Sequence, residues 1–535
     1  MGVIIYGVDM NYDAIVVGGG IAGLTAAAYL SKAGRTTLLC EKENTCGGLI
    51  NSFERDGFVF DGGIRAFENS GVVFPMLRHL GLDIEFVKNH VSLGIEDRVI
   101  RINTEDNIKD YQALLSELYP DSSNQINEII TQTRQIMHYM KVQYGIDNPI
   151  FLDMKKDRNY MVKVILPWML KYTLTVRKIT ALNKPVMDFL QGYTQNQSLL
   201  DIISQHFFHE TPAFFALSYL TLYLDYYYPL GGTGKFIEKM VGFVKSHQGL
   251  ISTNTEILMV DPENRLVTDT QGHNYQYRRL IWAADLKSLY RCVNLENIQD
   301  GQIKNAIMTR QAEIANKSGN DSVFTIYLAV NLDKSYFASK SSEHFFYTPS
   351  RSGQSLAGPI PIHDGRSNIE KWLETFFALT TYEISIPVMR DNSLAPAGKT
   401  GLIVSVLFDY QLTKHIEEMG WYEDFKALCE MYILNTLDGS IYPGIKDEIL
   451  QKFSSTPLTM AKVAGNSDGA ITGWAFSNDP MPAENRLPKL LKAVKTPVPG
   501  VFQAGQWTYS PAGLPVSILT GKLAADRVIK ELSKA

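Results

Sequence analysis

The pattern of apolar and polar positions divides the first part of the chain into a strand, a turn, a helix and a second strand. Asp13–Val17 and Thr36–Cys40 are short apolar runs of the kind that form buried parallel strands, and an alanine-rich segment between them predicts a helix. The turn between the first strand and the helix carries glycine at positions 18, 20 and 23. This order predicts a βαβ unit that binds a nucleotide.

Each residue type of this unit has a physical reason. Gly18 allows a tight turn, and Gly20 removes the Cβ that would keep a pyrophosphate from the N–H groups at the helix N-terminus. Gly23 and Ala22 let the helix lie close to the sheet. Glu41, which follows the second strand, can accept hydrogen bonds from ribose hydroxyls.

More glycines follow within the next twenty-two residues, as the pair Gly47-Gly48 and the pair Gly62-Gly63. Here the chain resembles the flavoprotein group that includes phytoene desaturases, carotenoid isomerases, retinol saturases and amine oxidases. In that group the second glycine pair, which corresponds to Gly47-Gly48 here, continues the FAD site towards the flavin. The sequence contains no second Gly-x-Gly-x-x-Gly, so a separate NAD(P)H site is not expected.

The far end of the chain extends the resemblance. A short apolar strand ends at Gly505-Gln506-Trp507, and a loop through Gly513-Leu514-Pro515 leads into an apolar helix that starts near Val516. In the resembling family this strand, loop and helix hold the flavin ring. A C-terminal helix that only packs on the core would explain the apolar spacing of the helix equally well.

A third block lies in the middle of the chain. Gly234-Lys235 is not a phosphate-binding P-loop, because Pro229 stands where the leading glycine belongs and Phe236 where a serine or threonine is needed. The resemblance instead implies a helix, an adenine-contacting strand and a return strand. Over the whole chain it implies the following cofactor-binding residues: Gly18, Gly20, Ala22, Gly23, Glu41, Lys42, Gly47, Gly48, Leu49, Gly63, Ile64, Arg65, Glu256, Ile257, Ala284, Gly505, Gln506, Gly513, Leu514, Pro515 and Val516.

We therefore predict an α/β fold in which a discontinuous Rossmann-like FAD-binding domain, residues 10–90, 226–295 and 460–535, is interleaved with a substrate domain. The substrate domain, residues 91–225 and 296–459, is expected to be α+β, with a mixed sheet and a helical cap. Val323–Val330, His344–Tyr347 and Leu402–Phe408 have the β-branched and aromatic composition of strands, and residues 412–438 and 446–453 are predicted to be helical.

Composition narrows the functional classes. A formal net charge of −5 and a pI near 6.1 argue against a general nucleic-acid binder. The four cysteines have no metal-ligand spacing, so neither a zinc site nor a disulfide framework is expected. The first residues lack a secretory pattern and Met10 could be an internal start, so we predict a cytoplasmic protein that is not secreted.

Two segments of the predicted substrate domain are rich in aromatic residues. In residues 156–178, Lys156, Lys163, Lys171 and Lys178 share one helix face, which suits contact with a membrane surface or an ordinary solvated face, and Pro167 would kink the helix. Residues 206–228 could line a long apolar tunnel or form ordinary core. His206 and His209 have no partners at metal-ligand spacing.

The resemblance implies an FAD-dependent oxidoreductase that acts on double bonds of a long polyene or isoprenoid lipid, by saturation, desaturation or isomerisation. The sequence contains no recognisable motif that identifies its electron donor or acceptor. Leu49 stands where desaturases and many amine oxidases carry arginine, and Gly505-Gln506 is more similar to isomerases and retinol saturases. Arg65 and Tyr509 are the polar groups expected nearest the flavin, although an ion pair and simple packing are alternatives. An amine or amino-acid oxidase and a non-catalytic prenyl-binding escort protein stay open as other functions.

Overall fold

A computed structural model describes residues 11–153, 157–486 and 489–534, so Met10 and Lys156 lie outside the described part. Contacts between Cα atoms divide the chain into two compact units. The first unit contains the described residues of segments 1–51, 234–319 and 461–535, and the second contains those of segments 52–233 and 320–460. Compared with the predicted domains, residues 52–90, residues 226–233 and Met460 fall in the second unit, and residues 296–319 fall in the first.

The strands, in chain order, are β1 (Asn11–Val17), β2 (Thr37–Cys40), β3 (Ser52–Arg55), β4 (Phe58–Asp61), β5 (Phe67–Glu68), β6 (Phe86–Lys88), β7 (Val91–Ile95), β8 (Arg98–Ile102), β9 (Tyr226–Pro229), β10 (Leu250–Ser252), β11 (Ile257–Asp261), β12 (Leu266–Asp269), β13 (Asn274–Trp282), β14 (Ser322–Val330), β15 (His344–Thr348), β16 (Tyr382–Ser385), β17 (Thr400–Phe408), β18 (Ile449–Ser455) and β19 (Val501–Gln503).

The helices are α1 (Ile21–Lys32), α2 (Val73–Leu80), α3 (Ile108–Leu118), α4 (Ser123–Tyr144), α5 (Arg158–Tyr160), α6 (Leu166–Ala181), α7 (Val186–Leu190), α8 (Gln197–Ser204), α9 (Ala213–Leu217), α10 (Tyr219–Tyr223), α11 (Gly234–Ser246), α12 (Leu286–Cys292), α13 (Gly301–Ala315), α14 (Lys334–Ala338), α15 (Arg366–Leu379), α16 (Tyr410–Glu418), α17 (Tyr422–Asp438), α18 (Pro457–Ala464), α19 (Leu490–Ala493) and α20 (Leu514–Leu532).

The first unit is built on a mixed sheet with the strand order β10-β2-β1-β13-β12-β11. Strands β10, β2, β1 and β13 are mutually parallel, and β19 pairs in parallel with the end of β13, next to β12 along the same edge. Helix α1 packs against α20 and α11. A parallel sheet whose first turn leads into a helix is the predicted Rossmann-like arrangement, and the α/β fold class is confirmed.

The second unit is built on another mixed sheet, with the order β18-β14-β17-β16-β15-β7-β8. One face of it packs on α15, α16 and α17 in a core that includes Phe324, Val404 and Phe425. Helices α3, α4 and α7–α10 share a second core with β7 and β8. The β3–β4 hairpin belongs here because Phe58 and Phe60 join the core of this sheet.

The predicted strands at 323–330, 344–347 and 402–408 are present as β14, β15 and β17, and residues 412–438 form α16 and α17. The helix predicted at 446–453 is wrong, because residues from Ile449 onward form β18, an edge strand antiparallel to β14. From Arg158 onward the lysine-rich segment is helical, with a π-helical stretch over Met161–Ile165 that ends two residues before Pro167. Among the described residues, no helix combines the length and the apolar character that crossing a membrane requires.

Candidate nucleotide site and aromatic chamber

The first glycine turn places the N-terminus of α1 at the carboxyl end of β1. Gly18 has a φ of +101°, which favours glycine, and its N–H donates to the carbonyl of Cys40 at 2.8 Å. A Cβ on Gly23 would lie 1.9 Å from the carbonyl oxygen of Gly18, so the helix can approach the turn only with glycine there. Gly18 and Gly23 are thus required by the protein's own packing.

Gly20 differs from these two glycines. Its φ of −69° is ordinary for any residue, and a Cβ built on it would meet no atom within 4 Å. A side chain at position 20 would therefore project into open space at the N-terminus of α1. Here the first N–H groups of the helix have no intrahelical partner, and the helix dipole favours an anion.

Glu41 connects β2 to the glycine turn. One oxygen of its buried carboxylate accepts from the N–H of Gly19 at 2.6 Å, and the other accepts from the N–H of Glu43 at 2.9 Å. Glu41 therefore braces the turn, a role that the sequence analysis did not foresee. Each carboxylate oxygen has a second lone pair, so the predicted bonds to ribose hydroxyls remain compatible with this geometry.

The second glycine pair lies directly against the first turn. Gly47 donates its N–H to the carbonyl of Gly19 at 2.9 Å, and Gly20 and Gly47 form an isolated parallel bridge. A Cβ on Gly48 would approach the Cα of Gly20 to 3.4 Å, and the φ of Gly48 is +57°. The two glycine segments are separated in the sequence by α1 and β2, but in the fold they form one continuous backbone surface.

The predicted adenine-side residues lie around the end of β2. The N–H of Thr255 donates to the carbonyl of Glu41 at 2.8 Å, which brings Glu256 and Ile257 beside the Glu41 loop. Glu256 is exposed and Ile257 is buried. Lys42 forms an ion pair with Glu43 and donates to the carbonyl of Lys462 at 2.7 Å. Leu49 is half-buried.

The C-terminal strand and helix close the other side of the same surface. The N–H of Ala283 donates to the carbonyl of Val17, which places Ala284 beside the Gly18 turn. Gly505, with a φ of +99°, donates its N–H to the hydroxyl of Thr520 at 2.9 Å, and a Cβ on it would touch that of Ala22 at 3.4 Å. Gln506 is half-buried and follows directly.

Helix α20 begins after Gly513, with Leu514, Pro515 and Val516 in its first turn. It crosses α1 so closely that a Cβ on Gly521 would lie 2.3 Å from the carbonyl oxygen of Ala22. The segment 504–516 therefore lies next to α1. The N-termini of both helices belong to this one unit, and both can face a ligand with negative charge.

The two aromatic residues of the last loop are buried. Trp507 packs edge-on against Trp474 with ring centroids 4.8 Å apart, and the indole N–H of Trp474 donates to the carbonyl of Trp507. Tyr509 is 3% exposed and forms a backbone bridge with Glu484. The indole N–H of Trp507 is a buried donor without a hydrogen-bond partner among the described residues.

The residues of the first unit therefore fit a dinucleotide. They provide a backbone surface of glycines, an open position beside Gly20, two helix N-termini and an acidic group after the second strand. A Cβ at position 20 would occupy the space in which the fold family places a pyrophosphate. The individual binding roles remain predictions.

Arg65, in the second unit, is held in a network of buried polar groups. Its guanidinium lies 3.0 Å from Glu383 and donates to the hydroxyl of Ser405. His344 Nε2 is 3.1 Å from the other oxygen of Glu383, and Asn89 donates to the carbonyl of Arg65 at 3.3 Å. Gly63 and Ile64, just before Arg65, are half-buried. The ion pair named as the alternative role for Arg65 is therefore present.

The sheet register aligns this network in one row. Thr325 pairs with Ser405, Ser405 with Glu383, and Glu383 with Phe346, on four adjacent strands. These side chains share a face of the sheet, opposite to the face that packs on α15–α17. Burial alone would raise the pKa of Glu383, but Arg65 and His344 hold it at about 2, while burial lowers the pKa of His344. Glu383 is therefore a stable anion.

Aromatic rings lie on the same face. Phe346 stacks on Tyr223 at 5.3 Å, Tyr226 lies 5.7 Å from His344, and His206 lies 5.9 Å from Phe346. We call this group the aromatic chamber and define it by the following residues: His206, Phe207, Tyr219, Tyr223, Tyr226, His344, Phe346 and Glu383.

Several residues of the chamber keep accessible surface although they are strongly desolvated. His206, Phe207, Tyr219 and Phe346 keep accessible surface, and a third of the Glu383 side chain is accessible. Loss of water nevertheless lowers the pKa of His206 to about 4 and raises the pKa of Tyr219 well above its ordinary range. Desolvation by the surrounding protein disfavours the charged forms of both side chains.

Comparison with known proteins agrees with this geometry. A family model described as an NAD(P)-binding Rossmann-like domain matches residues 16–80. An all-trans-retinol 13,14-reductase of Danio rerio is 22% identical, and the match covers 93% of this chain and 83% of the relative. A 4,4'-diapophytoene desaturase of Staphylococcus aureus is 21% identical, with 97% of this chain and 99% of the relative covered. A chloroplastic prolycopene isomerase 1 of an Oncidium hybrid cultivar is 23% identical, covering 98% and 84%.

Over almost its whole length the chain is similar to members of the phytoene desaturase, carotenoid isomerase and retinol saturase group. The recognition made from the glycine segments is therefore confirmed. Solved structures show the same fold. A redesigned variant of putrescine oxidase superposes with a TM-score of 0.61 at 13% identity, over 97% of this chain and 99% of that one. An oxidoreductase of Methanosarcina mazei superposes with a TM-score of 0.58 at 14% identity, over 97% and 100%. The named relatives support an FAD-type oxidoreductase.

Proposed function

We propose that this protein binds FAD and acts on carbon–carbon double bonds of a long apolar polyene or isoprenoid lipid, by saturation, desaturation or cis–trans isomerisation. The observation that carries the proposal is the open position at Gly20, at the end of a helix and against the second glycine pair. Names of the relatives support the substrate class, because they refer to retinol, diapophytoene and prolycopene.

Bound FAD would supply the acceptance or donation of a hydride. The residues that would hold it are those of the first unit: the turns at Gly18–Gly23 and Gly47–Gly48 for the pyrophosphate, Glu41 for the ribose, and the segment from Gly505 to Val516 for the ring. The N–H groups at the start of α1 are oriented for an anion before the ligand arrives, so little reorganisation is needed.

The aromatic chamber supports the choice of substrate. Its rings can contact an extended conjugated chain face-on or edge-on, and such contacts add to the favourable burial of apolar surface. Its carboxylate Glu383 lies 3.0 Å from Arg65, and this ion pair offsets the charge of Glu383 in the wall. Tyr509 is a less direct candidate, because its side chain is buried in the first unit.

We further propose that α6 contacts the surface of an anionic membrane, from which such a substrate would be drawn. Trp168 and Ile165 face the protein, since the indole of Trp168 donates to the carbonyl of Val142 and Ile165 is buried. On the other side, a stripe of apolar residues is more than half exposed: Val162, Leu166, Met169, Leu170 and Leu174. Lys163, Lys171, Arg177 and Lys178 flank this stripe, and residues 158–181 contain no acidic residue.

Sedimentation with vesicles that contain anionic lipid tests the membrane contact. A variant with Leu170→Glu and Leu174→Glu is expected to lose most vesicle binding, because two charges would enter the apolar layer. Leu258→Glu is the matched control, since Leu258 is equally exposed but lies on β11. Equal vesicle binding by the double variant and the control would refute the contact.

A substrate panel tests the reaction. The FAD-loaded protein is mixed with polyenes and isoprenoids of increasing length, with artificial electron donors or acceptors, and products are identified by chromatography. Turnover of a polyene is the expected result. Release of hydrogen peroxide with amines and no polyene turnover would favour the amine oxidase instead. A protein that stays colourless with added FAD would leave only the lipid-binding escort role.

A further inference from the structure

A small polar cavity in the first unit is lined by residues other than the predicted cofactor contacts. Its volume is about 190 Å³, and its walls come from α12, α13, α19, the end of β19 and the loop 482–484. It would hold roughly six water molecules at the volume that each has in the liquid. Pockets for drug-sized ligands measure about 300–1,000 Å³, so this cavity suits a small ligand or one group of a larger ligand.

Arg310 supplies a largely buried positive charge to the wall. Its side chain keeps 25% of its surface, donates to the carbonyl of Pro482 and lies 3.1 Å from Glu313. The hydroxyl of Tyr290, which also lines the cavity, lies beside the same guanidinium. Glu313 is more than half exposed, so water screens its charge and it offsets that of Arg310 only in part.

Lys492 and Lys495 add two further positive charges. Both residues are exposed and line the cavity, and they lie on one turn at the end of α19, where the N–H of Lys495 donates to the carbonyl of Lys492 at 3.2 Å. Within the described part of the chain, neither lysine has an acidic group at ion-pair distance. Like charges at this spacing repel each other, and an anion bound between them would offset the repulsion.

Glu484 is the one carboxylate among the described residues that line the cavity. Its Oε1 accepts from the N–H groups of Asn485 at 3.2 Å and Arg486 at 3.0 Å, and from the guanidinium of Arg486 at 3.3 Å. The carboxylate is therefore held by its own loop and not by Lys492 or Lys495. Three cations and one carboxylate leave the wall positively charged.

Two buried uncharged side chains complete the wall. The amide nitrogen of Gln503 donates to the carbonyl of Ala493 at 2.6 Å, which ties the end of β19 to α19. Thr508 is 1% exposed. Both residues line the cavity and border the segment 504–507, which carries two of the predicted FAD contacts. A ligand in the cavity would thus lie against both ends of that segment.

The charges of this wall favour a phosphate group over a carboxylate. A phosphate ester carries up to about two negative charges and three acceptor oxygens, so a guanidinium and two ammonium groups can bind it together. A carboxylate carries one charge, and a single arginine can occupy both of its oxygens. A diphosphate would use all three cations of the cavity.

We propose that this cavity binds a diphosphate group, as free diphosphate or as part of a nucleoside diphosphate. Arg310 would hold the group in the wall, and Lys492 and Lys495 would hold it from the exposed side. The site is separate from the glycine turns, and the inference does not depend on the proposed chemistry on double bonds.

Equilibrium dialysis of the full-length, FAD-loaded protein against labelled pyrophosphate, without divalent cations, tests this site. Bound FAD keeps the probe out of the dinucleotide site. We expect a dissociation constant below about 1 mM for the wild type. The double variant Lys492→Gln and Lys495→Gln should bind about tenfold more weakly, since two ion pairs are lost. Glu484→Gln should bind about threefold more tightly, because a charge that repels the anion is removed.

The double variant Lys239→Gln and Lys530→Gln is the matched control, because it removes two exposed lysines of the same unit, from α11 and α20. It should bind pyrophosphate within about twofold of the wild type. Equal binding by the two double variants would overturn the site, and so would weaker binding by Glu484→Gln. Absence of binding to the wild type up to about 1 mM would also overturn it and leave the proposed function intact. If the protein takes up no FAD, the proposed function fails, and the two double variants still decide this site in the apo-protein.

Two further probes identify the chemical class of the ligand. Acetate that binds as tightly as pyrophosphate would overturn the assignment to phosphate. ADP that binds as tightly as pyrophosphate, and is weakened by the same lysine substitutions, would support a nucleoside diphosphate. Binding of pyrophosphate with exclusion of ADP would support free diphosphate.

Discussion

Alanine at two neighbouring glycines should separate the fold of the first unit from its capacity to bind a dinucleotide. A Cβ at Gly20 meets no protein atom within 4 Å, and the backbone there, with a φ of −69°, accepts any residue. Gly20→Ala should therefore leave the apo-protein as stable as the wild type or raise its stability by about 0.5 kcal/mol, because the unfolded chain loses freedom. The added methyl group nevertheless lies where the pyrophosphate would approach.

A Cβ at Gly23, in contrast, would lie 1.9 Å from the carbonyl oxygen of Gly18. The helix must move away from the turn, which costs about 1–3 kcal/mol or more. Gly23→Ala is therefore expected to lower the free energy of unfolding, whereas Gly20→Ala is expected to weaken FAD binding at least tenfold, or about 1.4 kcal/mol, without lowering stability.

Two assays measure these effects separately. Urea unfolding of the apo-protein gives the stability change, and titration of the apo-protein with FAD, followed by quenching of flavin fluorescence, gives the affinity. Gly242→Ala serves as the control, since Gly242 is exposed within α11 and a Cβ on it would meet no atom within 4 Å. If Gly20→Ala binds FAD as tightly as the wild type, the assignment of the pyrophosphate position is refuted.

Three further predictions follow from the polar contacts. Glu41→Ala should destabilise the protein by about 1–3 kcal/mol in urea unfolding and weaken FAD binding, because the N–H of Gly19 loses its acceptor at 2.6 Å; unchanged stability would contradict the bracing role. Arg65→Met and Glu383→Leu should each lower the free energy of unfolding, and the double variant should be about 1–3 kcal/mol more stable than the sum of the two single effects predicts. Strict additivity of the two effects would exclude a coupled pair. The wild type should lose stability on the order of 2 kcal/mol between pH 5 and pH 8, and Glu68→Gln should not show this loss. Parallel stability profiles of the wild type and the variant over this pH range would refute the prediction.

The sign of the last prediction follows from the pKa of Glu68, which burial raises from its ordinary value of 4.5 to about 7 in the folded protein. The folded state holds the proton more tightly, so the stabilising contribution is complete below pH 4.5 and is lost as the pH rises through 7. Glutamine cannot ionise and should keep the stability of the uncharged form at both pH values. Unfolding in urea at the two pH values measures this difference.

Local patterns were sufficient to predict the nucleotide-binding part of the fold. The strand, glycine turn, helix and strand between residues 11 and 40 lie within one short segment. Each of them is therefore indicated by residues that are close together in the sequence. The edge strand β18 was predicted as a helix because its alternation of half-buried Ile449, Gln451 and Phe453 with exposed Leu450 and Lys452 is short. Pairing with β14, more than a hundred residues away in the chain, determines its conformation.

The aromatic chamber depends even more on distant contacts. Arg65 was named from its place after a glycine pair, but its partners Glu383 and Ser405 come from strands more than 300 residues away. Glu68 carries no motif, and the pairing of β5 with β9 places it opposite Tyr226 of the chamber. The hairpin at 52–61 joins the second unit through Phe58 and Phe60, which no local pattern indicates.

The proposed chemistry on carbon–carbon double bonds is tested most directly by a single-turnover experiment on the full-length protein loaded with FAD and reduced under anaerobic conditions. The reduced protein is mixed with a conjugated polyene, and the absorbance bands of flavin and polyene are recorded together. We expect a change in the polyene band, either with matching reoxidation of the flavin when the double bond is saturated or at constant flavin redox state when it is isomerised. If the polyene band stays unchanged with both reduced and oxidised flavin, the proposed chemistry on carbon–carbon double bonds is contradicted.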